Sequence, residues 1–235
     1  MRRILMMALR LFLKTPYYAL RIWWAGAHSN GNYDKGYEIT RFATKKANKA
    51  GRVTIEVHGV ENLPKENGFM LYPNHQGLFD VLVFLDSCPV PFGVVVKKEV
   101  SNIILVKQVI AALGSFSIDR NDIKQSMEII NKVADEVKKG RNFLIFAEGT
   151  RSRKGNELLD FKGGSFKAAT KVRCPIIPCA LIDSFVPFDK KTCKPVTVKI
   201  IYLQPMYYEE YKDMKTVDIA IEVKRRIEEA ILLYK

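Results

Sequence analysis

The segment Asn74-His75-Gln76-Gly77-Leu78-Phe79-Asp80 holds the chain's strongest candidates for chemistry. On a straight helix a histidine and an acid five residues apart would point about 140° apart. They meet only if His75 sits in a loop and Asp80 in the first turn of the helix that follows. The carboxylate then accepts a hydrogen bond from one ring nitrogen and leaves the other as a base. With no Ser or Cys beside them, such a base would activate a substrate hydroxyl rather than a protein nucleophile. The same spacing also fits a loop closed by a helix-capping acid, and the pair alone leaves both readings open.

A second candidate is Phe146-Ala147-Glu148-Gly149-Thr150-Arg151-Ser152-Arg153-Lys154-Gly155, which follows an apolar run. Gly149 permits close backbone approach, and Thr150, Arg151 and Ser152 supply hydroxyl and guanidinium donors suited to a phosphate. Ile118-Asp119-Arg120 ends another extended stretch, with an acid beside its guanidinium that could pair with it. Lys97, Lys98 and Glu99 end the Val94-Val95-Val96 run in the same way. Ligands of α/β sheets bind at such strand ends.

The elements that must position these groups alternate in type. Period-two or apolar runs predict strands at 53–57, 69–72, 93–96, 115–118, 142–146, 176–182 and 195–203. Helical patterns fall at 78–87, 99–112, 122–139, 164–172 and 216–233. This is an α/β sheet covered by helices on both faces, a single domain over 53–235. Cys88, Cys174, Cys179 and Cys193 have no metal-ligand spacing and read as reduced thiols of a protein facing the cytosol. His28, His58 and His75 are too scattered for a metal cage, so no metal is expected.

Residues 1–52 differ from the rest. They hold eleven Lys and Arg against Asp34 and Glu38, a net +9 of the chain's +13. A transmembrane helix needs about 18–20 nearly uncharged residues, and Arg10, Lys14 and Arg21 interrupt every such window. A signal peptide fits poorly, because charges and Trp23-Trp24 separate the apolar stretch from Ala25-Gly26-Ala27. At about 100° per residue, Arg3, Arg10, Lys14 and Arg21 form a stripe about 40° wide, kinked at Pro16. A second helix running to Ala50 places Arg41, Lys45 and Lys49 on another basic stripe, continued by Arg52. The expectation is an amphipathic two-helix segment lying on an anionic membrane, peripheral on its cytoplasmic face. Nucleic-acid binding is disfavoured, since the charge excess lies outside the main body.

The order NH(x4)D, a strand ending in Asp-Arg, EGTRS and then an apolar Pro-x-x-Pro stretch resembles the lysophospholipid/glycerolipid acyltransferases. Within them it is most similar to the bacterial 1-acyl-sn-glycerol-3-phosphate acyltransferases, over roughly 57–182. Phe161-Lys162-x-Gly164 and Pro175-Ile176-Ile177-Pro178 match as well. The resemblance implies His75 and Asp80 as the catalytic pair. It implies acceptor-phosphate binding by Arg120, Glu148, Gly149, Thr150, Arg151 and Lys97. It further implies acyl-CoA or acyl carrier protein as thioester donor, lysophosphatidic acid as acceptor, phosphatidic acid as product and no cofactor. Another lysophospholipid or glycerol 3-phosphate is the alternative acceptor. Gly77 departs from the family pattern, where Ser is usual.

Overall fold

The computed structural model describes residues 2–234. Its helices are α1 (Arg2–Arg10), α2 (Thr15–Ala27), α3 (Asp34–Ala50), α4 (Asp80–Ser87), α5 (Ile104–Ala112), α6 (Ile123–Lys138), α7 (Lys167–Val172), α8 (Val186–Asp189), α9 (Tyr208–Tyr211) and α10 (Thr216–Tyr234). The strands are β1 (Val53–His58), β2 (Met70–Pro73), β3 (Phe92–Lys97), β4 (Phe116–Ile118), β5 (Asn142–Leu144), β6 (Ile176–Ile182) and β7 (Val196–Tyr202). They form one sheet in the order β1-β7-β6-β2-β5-β3-β4. Strands β6, β2, β5, β3 and β4 run parallel, while β7 is antiparallel to β6 and carries β1 parallel to itself.

Alternation along the central strands feeds two cores. Met70, Tyr72 and Phe143 face α6, α7 and α10, whereas Leu71 and Leu144 face α3 and α4. Strand β6 is buried along its whole length, which explains its uninterrupted apolar reading. The chain leaves β2 into α4 on one face and leaves β5 toward α7 on the other. That divergence falls at the C-terminal ends of β2 and β5, the kind of place where α/β sheets bind ligands. Burial raises the thiols of Cys88 to about 11 and Cys174 to about 12, so both are inert.

Two predicted elements differ in a way that bears on the N-terminus and the rim. The helix expected at 99–112 begins only at Ile104, with turns before it. The N-terminal helix is not kinked at Pro16. It is interrupted by turns over 11–14, and Pro16 lies in the first turn of α2, where its missing donor has no partner to lose.

The basic stripe is also corrected. Arg3 is wholly buried rather than facing lipid, and its guanidinium donates to the carbonyls of Gly51, Pro187, Thr192 and Lys194. Burial lowers its pKa. Arg10 donates to Ala50 O at 2.8 Å. Both cations thus cap the C-terminus of α3, where the helix leaves carbonyls and partial negative charge unmatched. Helix α2 lies against α5 through Gly26, where a β-carbon would come 2.9 Å from the backbone nitrogen of Ala112.

Candidate active site

The loop after β2 and the first turn of α4 bring His75 and Asp80 together as the spacing required. His75 Nδ1 lies 2.7 Å from Asp80 Oδ2. A carboxylate only accepts, so Nδ1 carries the proton and Nε2 is the free base. Asp80 is fully buried. Its Oδ2 also accepts from the backbone N–H of Gln76 at 2.7 Å and of Gly77 at 3.0 Å, and its Oδ1 accepts from Ser184 Oγ at 2.6 Å. Both N–H groups are thereby spent on holding Asp80. The imidazole stacks on Phe146, with ring centroids 4.0 Å apart.

Gly77 is small for a reason visible here. A β-carbon on it would come 3.0 Å from Phe185 Cα, just before α8. The segment after β6 packs where a larger side chain would stand.

Glu148 does not occupy the place expected of a phosphate ligand. It is buried, its Oε1 accepts the His75 backbone N–H at 2.6 Å, and its Oε2 accepts the Leu159 N–H at 3.0 Å. Burial lifts its carboxyl to about 7, against the opposing pull of those two bonds. Ser152 N–H donates to His75 O at 2.8 Å, so the loop after β5 braces the histidine loop at a second point. Gly149 takes a left-handed conformation, φ +74°, in the turn closed by its own N–H on Phe146 O.

The remaining candidates line the same sheet edge in strand order. Arg151 follows β5, Lys97 ends β3, and Arg120 follows β4. With strands about 4.8 Å apart, the start of the β4 loop lies about 14 Å along the edge from the His75 loop. Arg151 is therefore placed nearest the dyad and Arg120 farthest. Lys97 pairs with Glu99 at 2.7 Å. Asp119 pairs with Lys98 at 3.2 Å instead of with Arg120. Among the described residues, Arg120 and Arg151 form no ion pair, and Thr150, the neighbour of Arg151, is exposed. The edge thus presents a base at one point and uncommitted cations farther along.

A family model described as Acyltransferase matches residues 54–182, more than half of the chain. The chain belongs to the Acyltransferase family. The 1-acyl-sn-glycerol-3-phosphate acyltransferase of Borreliella burgdorferi is 32% identical over 132 residues, covering 56% of this chain and 52% of that protein. That of Cocos nucifera is 32% identical over 147 residues, covering 60% and 47%. That of Helicobacter pylori is 28% identical over 167 residues, covering 65% and 70%. The chain spans about half the length of the first two relatives. The crystal structure of the 1-acyl-sn-glycerophosphate acyltransferase PlsC from Thermotoga maritima has the same fold, with a TM-score of 0.78 at 22% identity. That match covers 99% of this chain and 97% of the other.

The matched segment contains every candidate from His75 to Arg151 and stops at Ile182, two residues short of Ser184. Ser184 carries no motif in the sequence. It reaches Asp80 only because β6 lies beside β2, a pairing of segments about a hundred residues apart.

Proposed function

We propose that this acyltransferase moves a fatty acyl group from an acyl thioester to the free hydroxyl of 1-acylglycerol 3-phosphate, yielding phosphatidic acid. The observation that carries the reading is the 2.7 Å bond from His75 to a buried Asp80, with uncommitted arginines on the same sheet edge. His75 Nε2 takes the hydroxyl proton as that oxygen attacks the thioester carbonyl. The C–S bond then breaks, and the imidazolium returns the proton to the departing thiolate. Asp80 holds the ring in one tautomer and stabilises the imidazolium. Arg151, with Lys97 and Arg120 farther along, binds the acceptor phosphate.

An acceptor with an acyl chain must be taken from a bilayer, and the surface suits that supply. No helix among the described residues is long and apolar enough to cross a membrane. Yet Leu5, Leu9, Phe12, Leu13, Leu20 and Trp23 are at least half exposed along α1, the turns after it and α2. Such a run of exposed apolar side chains marks a contact surface. We read it as a monotopic membrane contact, made by apolar side chains and by the cations Lys14 and Arg21.

The test is a rate measurement with purified full-length protein, several lysolipid acceptors and both acyl-CoA and acyl carrier protein as donors. Acylation of 1-acylglycerol 3-phosphate in preference to acceptors without a terminal phosphate is expected. Equal or faster transfer to a phosphate-free acceptor would overturn the reading.

A further inference from the structure

We propose that Ser184 is a positioning residue of the His75–Asp80 pair, its hydroxyl fixing the rotation of the Asp80 carboxylate. The inference rests on the reading of His75 as the base.

Ser184 is fully buried, with Oγ 2.6 Å from Asp80 Oδ1 and 2.9 Å from Gln76 Oε1. One hydroxyl proton serves one of these acceptors. Gln76 Oε1 already receives the Ser184 backbone N–H at 2.9 Å, and a charged acceptor makes the stronger bond, so the proton goes to Asp80. The two carboxylate oxygens are therefore divided. Oδ2 takes the imidazole and the Gln76 N–H, while Oδ1 has Ser184 and a 3.1 Å share of the Gly77 N–H. Rotation about the last torsion of an aspartate is soft, so the geometry at Oδ2 depends on what holds Oδ1. Without the serine hydroxyl, only the shared Gly77 bond remains there.

Ser184 is itself held firmly. The preceding Asp183 turns the chain with φ +59°, a conformation that its N–H bond to Asn156 Oδ1 at 2.9 Å supports. Asn156 Nδ2 answers to Asp183 Oδ1 at 3.0 Å, and Gln76 Nε2 donates to Asn156 Oδ1 at 2.7 Å. The ring of contacts runs through the histidine loop, the loop beyond Arg151 and the end of β6. Ser184 bonds to the oxygen of Asp80 that His75 does not use, so it is no nucleophile activated by the imidazole.

The experiment compares steady-state rates of full-length wild type, Ser184→Ala, Ser184→Cys and His75→Ala on 1-acylglycerol 3-phosphate in mixed micelles with acyl-CoA. The imidazole N–H region of each proton NMR spectrum is recorded as well. Ser184→Ala is expected to lower kcat about tenfold, the scale of one lost hydrogen bond to a charged group. Both KM values are expected to stay within about twofold, because the serine is fully buried. The His75 Nδ1–H resonance is expected to move. Ser184→Cys keeps a weak donor and is expected to lose less; it gives the same split if Ser184→Ala does not fold. An unchanged kcat, a raised KM with kcat intact, or a lowered kcat with the resonance at its wild-type position would overturn the inference. Activity retained in His75→Ala would instead remove the base assignment beneath it.

Discussion

The dyad and the cationic edge belong to one rim of one sheet, yet the protein finishes one and leaves the other open. Around Asp80, four groups converge on two carboxylate oxygens, and the acid is sealed from solvent. A buried carboxylate without such partners would be strongly unfavourable, so the loop is built around it. One strand away for Arg151 and three for Arg120, the arginines form no ion pair among the described residues. A base must be aligned before the substrate arrives, whereas cations awaiting an anion need only be near and unspent. Preorganisation therefore belongs to the dyad, and recognition to the rim.

The largest expected break in this contrast is His75→Ala. A general base contributes about 10²–10⁴-fold, so kcat is expected to fall by that order, while the variant still folds and unfolds cooperatively at a somewhat lower temperature because Asp80 loses one of its partners. A steady-state rate beside a melting curve checks both halves. On the rim the pattern reverses. Arg151→Ala is expected to raise the acceptor KM by about one to two decades, the loss of a charge-assisted bond worth about 1.5–3 kcal/mol. Arg120→Ala, placed farther from the dyad, is expected to raise it less. A rise in the thioester KM instead would assign these cations to the donor.

Glu148 sharpens the comparison, because its residue type suggests the rim while its bonds serve the dyad. Glu148→Gln sets an amide NH2 against one of two N–H donors, and unfolding free energy is expected to drop by about 1–3 kcal/mol. The pH dependence follows from burial. Its folded pKa, about 7, lies above the ordinary carboxyl value of 4.5, so the folded state holds the proton more tightly. The stability contributed by that proton is fully present below about 4.5 and is lost as pH rises through about 7. The gap between wild type and Glu148→Gln is expected to narrow over that range, as measured by urea unfolding at several pH values.

The same division between committed and uncommitted cations runs through the N-terminus, with smaller effects. Lys14 has no side-chain bond among the described residues, and Arg21 reaches only Tyr17 Oη at 3.2 Å. Replacing both by Gln is expected to weaken binding to anionic vesicles by about 1 kcal/mol per charge, read by flotation at two salt concentrations. Arg3→Gln is expected to lower the melting temperature and leave the salt dependence of flotation unchanged. A variant lacking Lys14 and Arg21 that floats like wild type would remove their assignment to the membrane.

Much of this protein is legible in its sequence. Periodicity locates the strands and the long helices, because alternation and the 3.6-residue repeat are local properties of a chain with one buried face. The interval from His75 to Asp80 already demands a loop followed by a helical start, since no straight helix lets the two meet. The family order of motifs names the same pair. What local pattern does not contain is which neighbour each polar group meets. Arg3 reads as one more cation on a helical stripe, and only the fold sets it beneath the carbonyls of Gly51 and Lys194. Glu148 reads as part of an anion site until β5 lies beside β2 and its oxygens meet two backbone N–H groups. Ser184 has no signal at all, because its partner lies 104 residues away across a parallel strand pair. Type and spacing determine which chemistry the chain can perform. The strand order decides which side chains are spent holding it in place, because hydrogen bonds are short and satisfy whatever the packing brings within reach.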